Sequence, residues 1–449
     1  EPSLDSAFFR RDIGLSFLLE RGHAVHKLPD SPASNDGAPG PDRQSVEQVR
    51  KHLDHVLKEL HRQLLDGSYR PGLVRRVWIP KGGGKKRGLG IPNVIDRVVQ
   101  QAVHQVLSPN YEPSFHDSSH GFRPGRSCHT AIEAAIEHME EGFTWVVDID
   151  LERFFDQVHH LRLLDRLERR ISDRRLLRLI LRLLKAKVVM PNGVVRSTSE
   201  GTPQGGPLSP LLSNIVLSEL DDELTKRGHR FVRYADDFNI YVRSERAGHR
   251  VMASVSRFIE KRLRLKVNQE KSAVAQPKDR HFVGFSLCYE AEDGSVKVRL
   301  SKRSKERIDR RIVELTPRNW GQSLEDCISR LNVYLRGWFG FFRLVTDVST
   351  LARLDAHIRR RLRAIVLCDW KTKRTITRNL IQLGVRRTTA TWVYSYRNSW
   401  WNLTRHRAVQ TGLRNSFFKK LGLLSLRDMA EHLPRPVRAL EQINLPWDN

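Results

Sequence analysis

Phe231-Val-Arg-Tyr-Ala-Asp-Asp-Phe-Asn-Ile-Tyr-Val242 is the stretch of sequence that decides the fold. Residues that favour β-strands flank two adjacent acids, Asp236 and Asp237, at the point where a hairpin must turn. Two neighbouring aspartates repel each other unless a cation neutralises them. An Asp-Asp pair is also common in ordinary turns, but the strand-forming residues on both sides leave almost no room for a solvated loop. The pattern predicts a hairpin that presents two carboxylates.

A second apolar strand also ends in acids. The stretch Trp145-Val-Val-Asp-Ile-Asp150 places Asp148 and Asp150 on one face, because side chains alternate along a strand. Either acid could therefore reach the neighbouring hairpin. Carboxylate oxygens suit Mg²⁺, which also takes substrate phosphates. Two such ions can activate a 3′-hydroxyl and stabilise a leaving pyrophosphate, so the pattern indicates a nucleotidyl transferase.

Length and composition exclude several protein classes. A chain of 449 residues with 39% apolar and 29% charged residues can bury a sizeable core, and its length predicts about three domains. The net charge of +27 favours a polyanionic partner. No apolar run approaches the ~18 residues of a membrane span, so we expect no membrane partner. The four cysteines lie far apart without a CxxC pair, and no secretory signal is visible, so we expect a bacterial-type, intracellular (cytoplasmic) location.

The basic excess is concentrated towards the C-terminus. From Ser301 onward there are 30 Lys and Arg against 12 Asp and Glu. Between Lys371 and Lys420 there are 12 basic residues and no acid, interleaved with large aromatics. A charge run is often only a solvated face or a disordered tail, but disordered tails carry few aromatics. We therefore favour a folded surface that grips phosphates and stacks bases.

Several motifs together resemble one known family. Tyr234-Ala-Asp-Asp237 resembles the metal-binding hairpin of reverse transcriptases, and Asp150 with Phe154-Phe155-Asp156 resembles their first metal strand. Other stretches are similar, in the same order, to group II intron-encoded reverse transcriptases. They are Ile79-Pro-Lys81, Lys85-Lys-Arg87, Leu89-Gly-Ile-Pro92, Asp96-Arg97, Ser119-His-Gly-Phe-Arg-Pro-Gly-Arg126, Gly201-Thr-Pro-Gln-Gly-Gly-Pro-Leu-Ser-Pro210 with Asn214, Asn268-Gln-Glu-Lys-Ser272, Phe282-Val-Gly-Phe285, and Arg336-Gly-Trp338 through Trp370-Lys371.

The resemblance implies an α+β fold of the right-hand polymerase type, with fingers, a palm and a helical thumb. It also implies an N-terminal extension and a basic helical C-terminal domain that binds DNA. The expected limits are 1–70 for the extension, 71–295 for fingers and palm, 296–385 for the thumb or maturase domain, and 386–449 for the basic domain.

The resemblance also assigns catalytic roles. Asp150, Asp236 and Asp237 are expected to form the catalytic set and to hold two Mg²⁺ ions, with Mn²⁺ as an alternative. Asp148 is the less favoured ligand. Asp156 matches an acid of the family pattern, but we keep it outside the metal set because its role can be structural.

Five residues are expected to bind the incoming nucleotide. By resemblance, Lys81 and Arg87 grip the triphosphate, although surface charge is the ordinary interpretation of both. Phe155 lies where these polymerases place a steric gate against the 2′-hydroxyl, and an ordinary core phenylalanine is the alternative. Gln204 is expected near the base and sugar, unless its segment is a plain Pro-Gly loop. Lys271 resembles a lysine that assists pyrophosphate departure.

The remaining expected contacts are to nucleic acid. The matching motifs assign them to basic residues of the fingers, the thumb and the start of the C-terminal region, namely Arg123, Arg126, Arg336, Lys371, Lys373 and Arg374. The expected partners are an RNA template, a DNA primer and deoxynucleoside triphosphates, with a group II intron RNA as a further one.

The expected function is RNA-directed DNA polymerisation of the group II intron type, with binding of intron RNA for splicing and mobility. Two alternatives stay open. One is a domesticated relative that acts in host DNA repair or phage defence, which the unusual Pro41 and Arg43 of the N-terminal loop favour slightly. The other is an RNA-binding maturase without polymerase activity, which the three retained acids disfavour.

Overall fold

A computed structural model describes residues 37–80, 84, 86–202, 205–318, 321, 323–396 and 399–432. The chain divides between Gln276 and Pro277 into two compact units. Unit 1 holds the described residues before this boundary, and unit 2 holds those after it. The predicted α+β class is confirmed, because unit 1 mixes helices with two sheets and unit 2 is mainly helical.

Unit 1 interleaves strands and helices along its length. Its strands are β1 (Val74–Pro80), β2 (Lys86–Ile91), β3 (Trp145–Asp150), β4 (Val188–Val189), β5 (Val195–Arg196), β6 (Arg230–Tyr234), β7 (Asp237–Val242) and β8 (Ala273–Ala275). Its helices are α1 (Val46–Lys51), α2 (Leu53–Leu65), α3 (Val94–Tyr111), α4 (Cys128–Glu140), α5 (Phe154–Gln157), α6 (His160–Glu168), α7 (Arg174–Leu184), α8 (Ser209–Lys226) and α9 (Glu245–Phe258).

The central sheet of unit 1 contains both acid-bearing strands. Its order is β6-β7-β3-β8, and all neighbouring strands are antiparallel. Helix α9 packs against β3 and helix α4 packs against β6. Because β3 is central and covered, Val146, Val147 and Ile149 are all buried. The core therefore holds β3 rigidly, with Asp150 at its end.

A smaller sheet of order β2-β1-β4-β5 lies in the N-terminal half of unit 1. Strands β1 and β2 form an antiparallel hairpin from Arg75 opposite Ile91 to Pro80 opposite Lys86. The strand-forming pattern predicts strands over 73–80 and 87–92, and the observed limits differ from these by at most one residue. Strand β4 pairs with β1 in parallel, so a segment about 110 residues further along the chain completes the sheet.

Unit 2 begins with an antiparallel hairpin of β9 (Phe285–Tyr289) and β10 (Val296–Leu300). Helices follow, as the sequence predicted: α10 (Lys302–Leu315), α11 (Leu324–Phe342), α12 (Val348–Asp369), α13 (Lys373–Gln382), α14 (Arg387–Ser395), α15 (Trp400–Leu403), α16 (Arg407–Gly412), α17 (Asn415–Lys420) and α18 (Leu426–Glu431). Buried Asp355 accepts from the backbone amides of Leu426 and Arg427, which fixes the start of α18 on α12.

Two predicted elements differ from the observed ones. The sequence pattern over 161–187 predicts one helical stretch. The structure has two helices there, because the Asp173 carboxylate accepts from the amides of Arg175 and Leu176 and starts a new helix. The sequence also offers a strand over 266–273, but this segment is mostly a turn, with only β8 at its end. The predicted limits of the four functional domains stay predictions, because the two compact units reflect how the chain packs and do not mark functional boundaries.

Candidate active site

The two acid-bearing strands bring their carboxylates to one end of the central sheet. Asp150, the last residue of β3, is the cross-strand partner of Asp237, the first residue of β7. Paired residues in an antiparallel ladder have Cα atoms about 4.5–5.5 Å apart. Asp236 lies in the turn immediately before β7. Asp150, Asp236 and Asp237 therefore share one edge of the sheet, and the latter two are half-buried.

A turn at residues 268–272 wraps around Asp150. The Asp150 amide donates to the Ser272 hydroxyl at 3.0 Å, and the Asn268 amide donates to the Asp150 carbonyl at 2.8 Å. The Lys271 ammonium contacts both carboxylate oxygens of Asp150, at 2.9 and 3.0 Å. The Lys271 and Asp150 side chains keep 49% and 38% of their exposure. The ion pair is therefore accessible to solvent.

These residues fit a divalent cation. Among the described residues, no three His, Cys, Asp or Glu side chains are already gathered as a metal cluster. However, the Asp150 carboxylate already holds a positive charge, the Lys271 ammonium, on both of its oxygens. Oxygen donors of this type are those that Mg²⁺ prefers. A metal ion on Asp150 would take the place of the Lys271 ammonium.

The hairpin turn has an unusual backbone. Ala235 has a φ of +59°, in the left-handed region that costs an ordinary residue about 1–2 kcal/mol. The neighbouring loop approaches so closely that a Cβ on Gly121 would lie 2.3 Å from the Ala235 nitrogen. Only glycine fits at position 121, which explains one glycine of the predicted motif over 119–126.

Asp148 lies on β3 opposite Asn239 and is 7% exposed. Its burial agrees with its expected status as the less favoured ligand. Burial raises the pKa of Tyr241, a hydrogen bond with Asn239 opposes this shift, and the negative charges of Asp148 and Asp237 add to it.

Phe155 lies in α5, five residues after the end of β3. It is 8% exposed and lies edge-on to Phe154, with 5.2 Å between the ring centroids. Its carbonyl accepts from the Thr202 amide at 2.6 Å. A Cβ on Gly201 would approach the Phe155 carbonyl oxygen to 3.0 Å. The buried His160 ring contacts the Gly201 carbonyl through Nε2 at 2.7 Å. Gly201 and Thr202 are thus fixed against the Phe155 backbone.

The other expected nucleotide-binding residues are partly described. Arg87 is exposed on β2, opposite Ile79. A Cβ on Gly205 would lie 2.7 Å from the Gly90 carbonyl oxygen, so β2 approaches Gly205 closely. Lys81 and Gln204 lie outside the described residues.

Comparison with known proteins gives the family. A family model for reverse transcriptase (RNA-dependent DNA polymerase) matches residues 79–287, and a group II intron maturase-specific domain matches residues 305–383. Protein YkfC of Escherichia coli is 35% identical over 295 residues, which cover 57% of this chain and 77% of YkfC. The chain belongs to the group II intron reverse transcriptase family. It is an RNA-directed DNA polymerase, and its partners include nucleic acid.

Two further relatives define the extent of the likeness. The group II intron-encoded protein LtrA of Lactococcus lactis is 39% identical over 181 residues, which cover 40% of this chain and 30% of LtrA. A solved Cas6-RT-Cas1–Cas2 complex is 26% identical, with a TM-score of 0.36, over 55% of this chain and 42% of the other. Reverse transcriptases use divalent metal ions. Among the described residues, no helix of this reverse transcriptase is long and apolar enough to cross a membrane.

One expected nucleic-acid contact of the reverse transcriptase needs correction. Arg123 is 9% exposed, and its guanidinium bonds Glu112 at 2.7 Å and the carbonyls of His116 and Ser119 at 2.6 and 2.7 Å. Its donors point into the protein, where they hold the loop over 116–123 in shape. We therefore assign Arg123 a structural role in place of the predicted contact.

The other expected contacts remain accessible. Arg126 is half-buried and bonds Asp117, whose side chain is 92% exposed. In unit 2, Arg336, Lys371 and Arg374 are exposed, and the Lys373 ammonium donates to the Tyr394 carbonyl at 2.9 Å. All of these side chains can offer a guanidinium or ammonium to a phosphate without opening the core, and their roles stay predictions.

The aromatics of the basic region separate into two groups. Trp401 lies beneath the guanidinium of Arg360, 3.8 Å from the ring centroid, and Phe418 is buried. These two rings contribute to the packing of unit 2. Trp392 and Tyr394 of α14 are 64% and 49% exposed. Only such exposed rings can stack on bases, so the predicted stacking surface is smaller than the sequence suggested.

The sequence interpretation missed the residues that hold the acids in place. Ser272 and Asn268 belong to a recognised motif, but nothing in their spacing indicates that they bind the Asp150 backbone. Arg233 offered a signal that was overlooked, since a charged residue inside the apolar strand Phe231-Val-Arg-Tyr234 is unusual. The buried contacts of Arg233 are described below.

Proposed function

We propose that the reverse transcriptase extends a DNA primer on an RNA template with deoxynucleoside triphosphates, and that Asp150, Asp236 and Asp237 hold two Mg²⁺ ions. The observation that carries the proposal is the cross-strand pairing of Asp150 with Asp237, next to the Asp236 turn. Acids from separate strands converge at one sheet edge, as a two-metal site requires. When bound, the ions would activate the primer 3′-hydroxyl and stabilise the leaving pyrophosphate.

The exposed Lys271–Asp150 pair suggests how the site changes state. While no metal is bound, the Lys271 ammonium neutralises Asp150. If Asp150 held a metal ion, the ion would displace the Lys271 ammonium, which could then donate to the leaving pyrophosphate. An ammonium on a flexible stem can make this change without backbone movement.

Phe155 is proposed to select the sugar. Its backbone belongs to α5 and accepts from the Thr202 amide, and its ring is buried, so the ring cannot shift far. A fixed ring next to the 2′-carbon rejects a hydroxyl by steric overlap. Arg87 is proposed to bind the triphosphate, together with Lys81 and Gln204 of the segments outside the described residues.

The maturase-specific match supports a second role for the same chain. A group II intron RNA is proposed as a partner of the described unit 2 residues, because the match lies at 305–383 and the exposed Arg336, Lys371 and Arg374 lie in or beside α11 and α13. These residues would contact phosphates. A host role in repair or defence uses the same active site and stays a prediction.

Primer extension tests the proposal. The purified chain should extend a DNA primer on an RNA template with Mg²⁺, and Asp236→Ala should abolish extension. Asp54→Ala is the control, because Asp54 is an exposed acid of α2 in the same unit. Extension that survives Asp236→Ala would contradict the proposed site, and ribonucleotide incorporation that does not rise in Phe155→Ala would contradict the proposed gate.

A further inference from the structure

Arg233 is a fully buried charged residue in the strand that leads to the catalytic turn. Its side chain has 0% exposure, although it lies in β6 among apolar neighbours. Arginine is rarely buried to this degree unless its charge is paired. Asp221 of α8, also with 0% side-chain exposure, supplies the opposite charge.

The guanidinium of Arg233 makes four hydrogen bonds. Nε and one terminal nitrogen donate to the two carboxylate oxygens of Asp221, at 2.8 and 2.5 Å. The other terminal nitrogen donates to the Asn214 side-chain oxygen at 3.0 Å and to the Ala235 carbonyl at 2.9 Å. This planar fork bonds two side chains of α8 and the catalytic turn at the same time.

The bond to Ala235 explains how the turn keeps its shape. Ala235 holds a left-handed φ of +59°, and the two catalytic acids follow it directly. An unsupported alanine would leave this conformation, because it is unfavourable for any residue with a Cβ. The Arg233 guanidinium holds the Ala235 carbonyl from inside the protein. This carbonyl belongs to the peptide bond that joins Ala235 to Asp236.

Asn214 extends the same network to the neighbouring loop. Its side-chain nitrogen donates to the Gly121 carbonyl at 2.9 Å, and the His120 amide donates to the Arg233 carbonyl at 2.8 Å. Gly121 in turn lies against the Ala235 backbone. We call Asn214, Asp221 and Arg233 the buried triad. It joins α8, the loop over 119–123 and the catalytic turn.

Stability alone does not account for such a network. Removing two charges from water is costly, and replacing a buried ion pair by apolar residues is often neutral or stabilising. What an apolar replacement could not do is bond the carbonyl of a left-handed residue. The four bonds of Arg233 are directional, and one of them ends on the backbone that carries the acids.

We propose that Arg233 is a positioning residue of the polymerase reaction: its guanidinium, oriented by Asp221 and Asn214, fixes the Ala235 carbonyl and thereby aims Asp236 and Asp237 at the metal ions. This inference rests on the proposed function, since it concerns the same acids. Arg233 touches neither substrate nor metal and acts through the turn.

Three variants test the buried triad in the full chain. Arg233→Lys keeps the charge and loses the fork, Asp221→Asn keeps the shape and loses the charge, and Asn214→Ala leaves the Arg233–Asp221 pair in place. Glu223→Gln is the matched control, because it breaks the Arg227–Glu223 pair on the same helix. Single-turnover incorporation at saturating nucleotide should be measured per active site, with primer–template affinity and the half-saturating Mg²⁺ concentration.

We expect each triad variant to lower the single-turnover rate by roughly tenfold or more, with primer–template affinity unchanged within about twofold. The half-saturating Mg²⁺ concentration should rise, because the acids are aimed less well. Glu223→Gln should change neither quantity. A purely structural triad would lower the active fraction and the melting temperature, but not the rate of the molecules that remain active.

Wild-type rates per active site in the folded variants would overturn the inference. If Arg233→Lys and Asp221→Asn do not fold, Asn214→Ala decides alone, since it retains the buried ion pair. The two proposals fail separately. An active Asp236→Ala variant removes the proposed function, whereas an inactive Asp236→Ala variant beside fully active triad variants removes only the positioning role.

Discussion

The acids that meet at one end of the β3–β7 strand pair are held in opposite ways. We call Asp150, on β3, the adaptable end of the site, and we call Asp236 and Asp237, on the hairpin, its fixed end. Asp150 is held at its side chain by an ammonium that keeps about half of its exposure, at 49%. Asp236 and Asp237 are held through their backbone by a buried guanidinium with 0% exposure. One support can exchange with solvent ions, and the other cannot move without opening the core.

The two supports serve different purposes, because one allows an acid to change its partner and the other fixes the position of the acids. A two-metal site must bind and release ions and pyrophosphate in each cycle, so part of it has to change partners. The Asp150 end can do so at little cost, because exposed ion pairs contribute little to stability. The hairpin end supplies fixed geometry. Variants at each end should therefore affect activity and stability in different proportions.

The largest expected effect is on activity at the adaptable end. Asp150→Asn should lower the single-turnover rate by at least about 1,000-fold, or about 4 kcal/mol in barrier height, because a neutral amide is a poor metal ligand. Stability should change little. The matched control is Glu152→Gln, which neutralises an exposed acid two residues further on. An Asp150→Asn enzyme with more than a tenth of wild-type activity would remove Asp150 from the site.

The next effect is on stability at the fixed end. Asp221→Ala should lower the free energy of unfolding by about 3–5 kcal/mol, because it leaves the Arg233 charge buried and unpaired. Denaturant unfolding of the full chain measures this loss, with Glu223→Ala as a control on the same helix. A loss as small as that of the control would show that the buried pair does not constrain the turn.

A third effect is a pH dependence of stability that arises from His120, whose amide donates to the Arg233 carbonyl near the fixed end. Burial, together with the positive charges of Arg126, Arg123 and Arg233, lowers the pKa of His120 to about 4, although the charge of Asp117 acts in the opposite direction. Its ring also contacts the Thr130 hydroxyl through Nδ1 at 2.8 Å. The folded state therefore binds this proton less readily than the unfolded state, whose histidine titrates near 6.5.

The sign of the dependence follows from this depressed pKa. The stabilisation from neutral His120 is complete above about pH 6.5 and is lost as the pH falls towards about 4, by roughly 3 kcal/mol in total. Urea unfolding between pH 7 and 4 should show a shallower loss in His120→Gln than in the wild type. Parallel curves for the two proteins would mean that His120 is protonated without penalty.

The sequence predicted the acid-bearing strands and the β1–β2 hairpin because both depend on local patterns. Alternating strand residues and adjacent aspartates can be recognised within a dozen positions. The break at Asp173 was missed because the apolar periodicity continues through it, and a capping side chain is only one residue. The buried triad was missed for another reason: Asn214, Asp221 and Arg233 come from two elements, and their contacts appear only when α8 packs on β6.

The smallest effect tests the adaptable end directly. Lys271→Met should change the free energy of unfolding by less than about 1 kcal/mol, because the pair with Asp150 is half-exposed. The same variant removes the ammonium that competes with a metal ion for Asp150. Its half-saturating Mg²⁺ concentration should therefore fall, while its turnover slows because pyrophosphate loses a donor. Fluorescence-monitored unfolding and a Mg²⁺ titration of primer extension measure both quantities, with Lys266→Met as an exposed control. If Lys271→Met destabilised the chain as strongly as Asp221→Ala, both ends would be structural, and the exchange between ammonium and metal at Asp150 would have no basis.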